Sequence, residues 1–267
     1  MTTTPNTTPA VPPRPDRSRP ATPVALATGR YVSRLQAEYQ KDKPSAVATL
    51  ARLRRGLGHP AHLAPGVWGI GGLEELTQLT RAVPGAQNGV EGSAPPPQYG
   101  DWQPAEEEAV HLAVSLWALH QQSVHDAPMH VRGWGLGYAV RQLARGQSRT
   151  ATGDTGTAEQ GSTAELHVPE TLRKRFVRIG TSSSLESLSV RLREIVLLLR
   201  GARVPLDYGR LADELHDWQD ETRRAGVRRG WGRDFHLAVA PRADDAPKAS
   251  GESAGADETA GVDDSMD

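Results

Sequence analysis

Residues 168–240 read VPETLRKRFVRIGTSSSLESLSVRLREIVLLLRGARVPLDYGRLADELHDWQDETRRAGVRRGWGRDFHLAVA, and no other part of the chain says as much about its architecture. Apolar residues recur there at spacings of three and four, the period of a helix buried along one face. Four helices are predicted, over 169–179, 184–200, 208–222 and 227–240. In the last, Val227, Trp231, Phe235 and Ala238 form the inward stripe, while Arg229, Arg233 and His236 line the far side. In the first, Leu172, Phe176 and Ile179 face in and Lys174, Arg175 and Arg178 share one flank. The second carries Leu185, Leu188, Leu192, Ile195 and Leu199, with Val190 and Leu197 as a second apolar side, which predicts the central helix. Asp207 is placed to cap the third after the break at Pro205.

The N-terminal half repeats the pattern. Helices are expected over 29–41, with Val32, Leu35 and Tyr39 inward, and after Pro44, with Ala46, Leu50, Leu53 and Leu57 inward and Arg52 and Arg55 outward. A short helix is expected over 73–81. A longer one follows Pro104, its first-turn glutamates matched to the helix dipole and Leu112, Leu116 and Leu119 buried. Another covers 136–144, with Arg141 and Arg145 outward. No run has strand period, so the fold class is all-α: two small helical domains, the C-terminal one a four-helix bundle. The expected partition is a disordered Thr/Pro-rich arm (1–28), an N-terminal helical domain (29–146), a Gly/Thr-rich linker (147–167), the bundle (168–240) and a disordered acidic tail (241–267).

The formal net charge of −1 argues by itself against a nucleic-acid partner, but the sum hides a division. The tail alone carries −6, so the remainder is +5 and almost all of its cations are arginine. The chain has no cysteine, which excludes disulfides and thiolate metal sites and suits a reducing compartment. No segment approaches the length of a membrane span and the N-terminus lacks an apolar signal core, so a soluble cytoplasmic protein with no membrane partner is expected.

Guanidinium rows without a catalytic constellation point to phosphate binding. Asp213, Asp217 and Asp220 gather on one side of the third C-terminal helix, apart from the arginines. Such segregation forgoes i,i+4 pairing and builds a field that attracts polyanions. Base reading is not expected, because the chain has only Asn6 and Asn88, both in loops. Glu108 and His111 have the spacing of a di-iron carboxylate motif, but only one such pair exists where the template needs two, so no metal or cofactor is expected. His120, His125 and His130 are spaced by five and are expected on different faces, in surface or capping roles. Gly133-Trp134-Gly135-Leu136-Gly137 lacks the lysine and preceding strand of a P-loop and reads as a turn and cap. A stand-alone helical DNA-binding regulator is the alternative to a structural subunit.

Several blocks resemble the CasB family, the small subunit of the type I-E CRISPR Cascade complex. They are Ala51-Arg52-Leu53-Arg54-Arg55-Gly56, Arg175-Phe176-Val177-Arg178-Ile179, Arg191-Leu192-Arg193, Pro205-Leu206-Asp207-Tyr208, Trp218 and Trp231-Gly232-Arg233-Asp234-Phe235. The resemblance spans about residues 29–240; the two tails, an insertion at 84–101 and the stretched linker depart from it. It implies a non-catalytic protein present in more than one copy beside the backbone and large subunits of a surveillance complex. Such a subunit lines a basic channel for crRNA, the target strand and the displaced DNA strand, and stabilises the R-loop during antiviral interference. Base pairing supplies the specificity of such effectors, and the protein holds backbones. Carried onto this chain, the implied contacts are Arg52, Arg55, Arg141, Lys174, Arg175, Arg178, Arg193, Arg229 and Arg233.

Overall fold

The computed structural model describes residues 22–61, 104–152 and 168–237. The expected helix over 73–81, the insertion at 84–101 and the acidic tail lie outside the described residues. Among these residues there are eight helices and no strand; the one bridge joins His130 to Leu206. They are α1 (Pro23–Tyr39), α2 (Pro44–Gly56), α3 (Pro104–Gln121), α4 (Leu136–Thr152), α5 (Glu170–Gly180), α6 (Leu185–Gly201), α7 (Tyr208–Gln219) and α8 (Glu221–Leu237). The fold class is all-α.

Local chemistry explains the boundaries. Helix α1 starts at Pro23, six residues before the predicted start, because Thr22 caps it by accepting from the Ala25 amide and Pro23 supplies a preset φ at the first turn. Ser184 and Ser187 form a reciprocal capping box on α6. Asp207 caps α7 as expected, accepting from the Arg210 amide. Helix α8 begins at Glu221 rather than 227: Asp220 accepts from the Thr222 amide and hydroxyl and restarts the helix one residue after α7 ends. Helix α4 runs on to Thr152, past the expected start of the linker.

One apolar cluster takes side chains from all eight helices and so spans both halves of the chain. The predicted centre was α6; the observed centre is α7, which packs on α1, α3 and α8 and buries Tyr208, Leu211, Ala212, Leu215 and Trp218. Val190 and Leu197, expected as the second apolar side of α6, are 56% and 40% exposed. Two aliphatics on the back of an amphipathic helix do not require burial, since single exposed apolar residues are common. Glycine sets two close crossings. A Cβ at Gly137 would lie 2.1 Å from the Trp231 carbonyl oxygen, and one at Gly209 would lie 2.7 Å from that of Ala25. These positions let α4 meet α8, and α7 meet α1, backbone to backbone.

Candidate nucleic-acid interface

Helices α5 and α8 meet through two side-chain contacts that run in opposite senses along the two helices. The Phe176 and Phe235 rings stack at 5.0 Å, and the Arg228 guanidinium donates to the Ser182 carbonyl at 2.8 Å. The buried residues of α5, Leu172 and Ile179, face the same core as Trp231 and Phe235 of α8. What remains outside is cationic. Lys174, Arg175, Arg178, Arg229 and Arg233 are all exposed. Lys174 is held by Glu170 at 2.8 Å, one turn back, whereas Arg175, Arg178, Arg229 and Arg233 make no ion pair among the described residues.

The remaining implied contacts are dispersed. Arg193 is exposed on the outer face of α6, between Val190 and Leu197. Arg52 and Arg55 are exposed on α2, which packs on α1 and α3 rather than on the α5–α8 pair. There Arg52 donates to the Thr49 hydroxyl and stands with Arg34 near the Tyr31 phenol, whose pKa burial raises against the pull of both cations. Arg141 is engaged inside the molecule: its Nη1 donates to the carbonyls of Phe235 and His236, at 2.9 and 2.5 Å. It satisfies the last-turn carbonyls of α8, where a cation is favoured by the helix dipole. Burial lowers its pKa, and the neighbouring charge of Arg145 adds to that.

The expected segregation of acids is corrected by the fold. Asp217 is buried and binds Arg223 at 2.6 Å, Asp220 binds the same guanidinium, and Asp213 accepts from the Thr22 hydroxyl. Arg210 bridges Glu214 at 2.8 Å and Asp234 at 2.5 Å, and Glu214 also accepts from the Trp231 indole. The acids of α7 thus tie the bundle together. Sequence spacing assigned them to the outer side because it could not show that Arg223 of α8 reaches back to Asp217 and Asp220 and that Thr22 lies against Asp213.

The histidines also take internal roles. His111 is buried with Nε2 against the carbonyls of Gly56 and His59, and Glu108 accepts from the Ala61 amide, so the pair fastens the segment after α2. His120 and His130 are buried around Tyr208 rather than on the surface: His120 Nδ1 meets its hydroxyl at 2.8 Å, and His130 Nδ1 accepts from its amide at 3.1 Å. Of His120, His125 and His130, the exposed one is His125, stacked on Tyr39 and 2.8 Å from Asp42. Gly133, with φ of 86°, forms the turn before α4, and its amide donates to Asp207.

The chain matches the family model of CRISPR-associated protein Cse2 over residues 49–236. It belongs to the Cse2 family. The crystal structure of CasB from Thermobifida fusca is 37% identical and superposes with a TM-score of 0.58, over 81% of this chain and 99% of that one. CasB from M. ruber is 21% identical (TM-score 0.49; 79% of this chain, 91% of that one), as is a chain of a CRISPR RNA-guided surveillance complex (TM-score 0.49; 80% and 93%). No curated protein sequence matches. The resemblance read from the quoted blocks is therefore borne out at the level of the family. Among the described residues, no helix is long and apolar enough to cross a membrane.

Proposed function

We propose that this Cse2-family chain is the non-catalytic small subunit of a type I-E Cascade complex, holding crRNA and the target and displaced DNA strands by their backbones and thereby stabilising the R-loop. The observation that carries the reading is the division among its arginines. Those on or facing α7 or capping helix ends are consumed by carboxylates and carbonyls, as Arg210, Arg223 and Arg141 are. Those on the outer side of α5 and α8 are left without ion pairs among the described residues. A fold that has partners within reach and leaves guanidinium groups outside them offers those groups to a polyanion.

Backbone and large subunits, and a second copy of the chain, are the protein partners of this reading. Strand exchange against a guide is nearly balanced, so a few phosphate contacts suffice to tip it. Replacing Arg229 and Arg233 together by glutamate in the assembled complex is expected to weaken retention of target DNA. It should also flatten the dependence of retention on salt by about two phosphate contacts' worth of slope. Retention unchanged at physiological salt would refute the proposal, and tight binding of the isolated chain to one defined operator would favour a regulator instead.

A further inference from the structure

The resemblance assigns the α5 contacts to Lys174, Arg175 and Arg178, yet packing of α5 against α8 turns a different cation toward Arg229. At about 100° per residue, Leu172 and Ile179 lie about 40° and 60° from Phe176 on the core side. Arg173 lies about 60° from Phe176 on the opposite, outward side, whereas Lys174 lies about 160° away, on the back of the helix. Helix α8 has the same layout about Phe235. Trp231 lies about 40° toward the core, and Arg229 and His236 lie about 120° and 100° toward the outside.

Because these two contacts run in opposite senses and both helices bury their core sides in one apolar cluster, their outward sides flank one groove between the contacts. Phe176 and Phe235 form its floor, and the bond from Arg228 to the Ser182 carbonyl closes one end. Arg173 then stands on the α5 wall and Arg229 and His236 on the α8 wall, all three exposed. Val177, 55% exposed, completes the α5 lip. Arg173 makes no ion pair among the described residues, in contrast to Lys174, which pairs with Glu170 one turn back. From Phe176 opposite Phe235 and Ser182 opposite Arg228, Arg173 and Arg229 are about 12–14 Å apart along the groove at about 1.5 Å per residue.

We infer that Arg173, and not Lys174, is the α5 cation that shares a backbone-phosphate groove with Arg229 and His236. This rests on the nucleic-acid reading above and specifies its geometry. Lys174 serves as the internal control, since reversing either residue changes net charge equally and only position differs.

The test uses the full chain, a labelled single-stranded oligonucleotide of mixed sequence and fluorescence anisotropy over a series of salt concentrations. Arg173→Glu is expected to weaken binding about fivefold and to reduce the slope of log affinity against log salt by about 0.7, the value for one phosphate contact on a single strand. Lys174→Glu should change both by less than half as much as Arg173→Glu does. Circular dichroism establishes that both variants fold, and Arg173→Gln, which removes the charge without reversing it, should show the same slope change. Equal effects of Arg173→Glu and Lys174→Glu would overturn the inference, because the response would then follow net charge alone. Weakening by Arg229→Glu with none by Arg173→Glu would overturn it while sparing the nucleic-acid reading. No response to either would overturn both.

Discussion

Lowering the pH should destabilise this fold well before its carboxylates titrate, and His120 supplies most of the effect. Its ring is fully buried between α3, α6 and α7, and burial pushes its pKa down to about 3; the carbonyl of Leu199 opposes the shift and the charge of Arg200 reinforces it. Unfolded, the same ring titrates near 6.5. Between those values the unfolded chain binds a proton that the folded chain refuses, so the stabilising contribution is complete above about pH 6.5 and drains away as pH falls toward 3. One pKa unit is about 1.4 kcal/mol, which places the loss at about 2 kcal/mol at pH 5 and about 5 kcal/mol at its limit. His111 and His130, also held below their ordinary range by burial, add in the same direction. Asp220, held at about 2 by its bonds to Thr222 and Arg223, acts only below about pH 4 and stays out of the window. Urea unfolding followed by tryptophan fluorescence at about pH 7.5, 6 and 5 reads the slope. His120→Asn keeps a polar atom for the Tyr208 hydroxyl and should remove about 1.4 kcal/mol per pH unit from that slope, even though it lowers stability at pH 7.5. A wild-type chain equally stable at pH 7.5 and 5, or a variant that retains the full slope, would refute the reasoning.

Gly137→Ala should cost at least about 2–3 kcal/mol, because its Cβ meets a backbone oxygen and not a side chain that can swing aside. Gly226→Ala, in the same bundle with open space around it, should raise stability by about 0.5–1 kcal/mol, and thermal melts of the two variants ought to move in opposite directions. Arg141→Ala should cost about 2 kcal/mol by leaving the Phe235 and His236 carbonyls without their donor. Arg233→Ala should leave the urea midpoint unchanged, and a comparable loss there would mean that Arg233 is structural too.

Helix identity was legible because burial imposes period, and the capping role of Asp207 because a carboxylate before an apolar stripe has few other uses. Which helix lies at the centre was not. The α6 sequence is apolar on two sides, whereas α7 mixes acids with its apolar residues. Only the tertiary pairing of Asp217 with Arg223, of Glu214 with Trp231 and of Arg210 with Asp234 lets the polar residues of α7 lie against its neighbours. The same blindness governed the candidate interface. Exposure of Arg175, Arg178, Arg229 and Arg233 follows from their distance around the helix from Phe176 and Trp231. Arg141 has an equally outward position by period, but α8 ends against it and takes its guanidinium. His120 and His130 likewise converge on Tyr208 through a turn that spacing by five does not reveal.

The crossing of α1 on α7 has a bearing on biogenesis. Thr22 bonds to Asp213 across 191 positions of chain, and Gly209 seats against the Ala25 carbonyl. The apolar side of α1, with Val24, Ala27 and Tyr31, therefore lacks its largest packing partner until a ribosome has emitted α7. At usual elongation speeds that interval is about 10–40 s, long enough for a nascent chain to need a chaperone's hold.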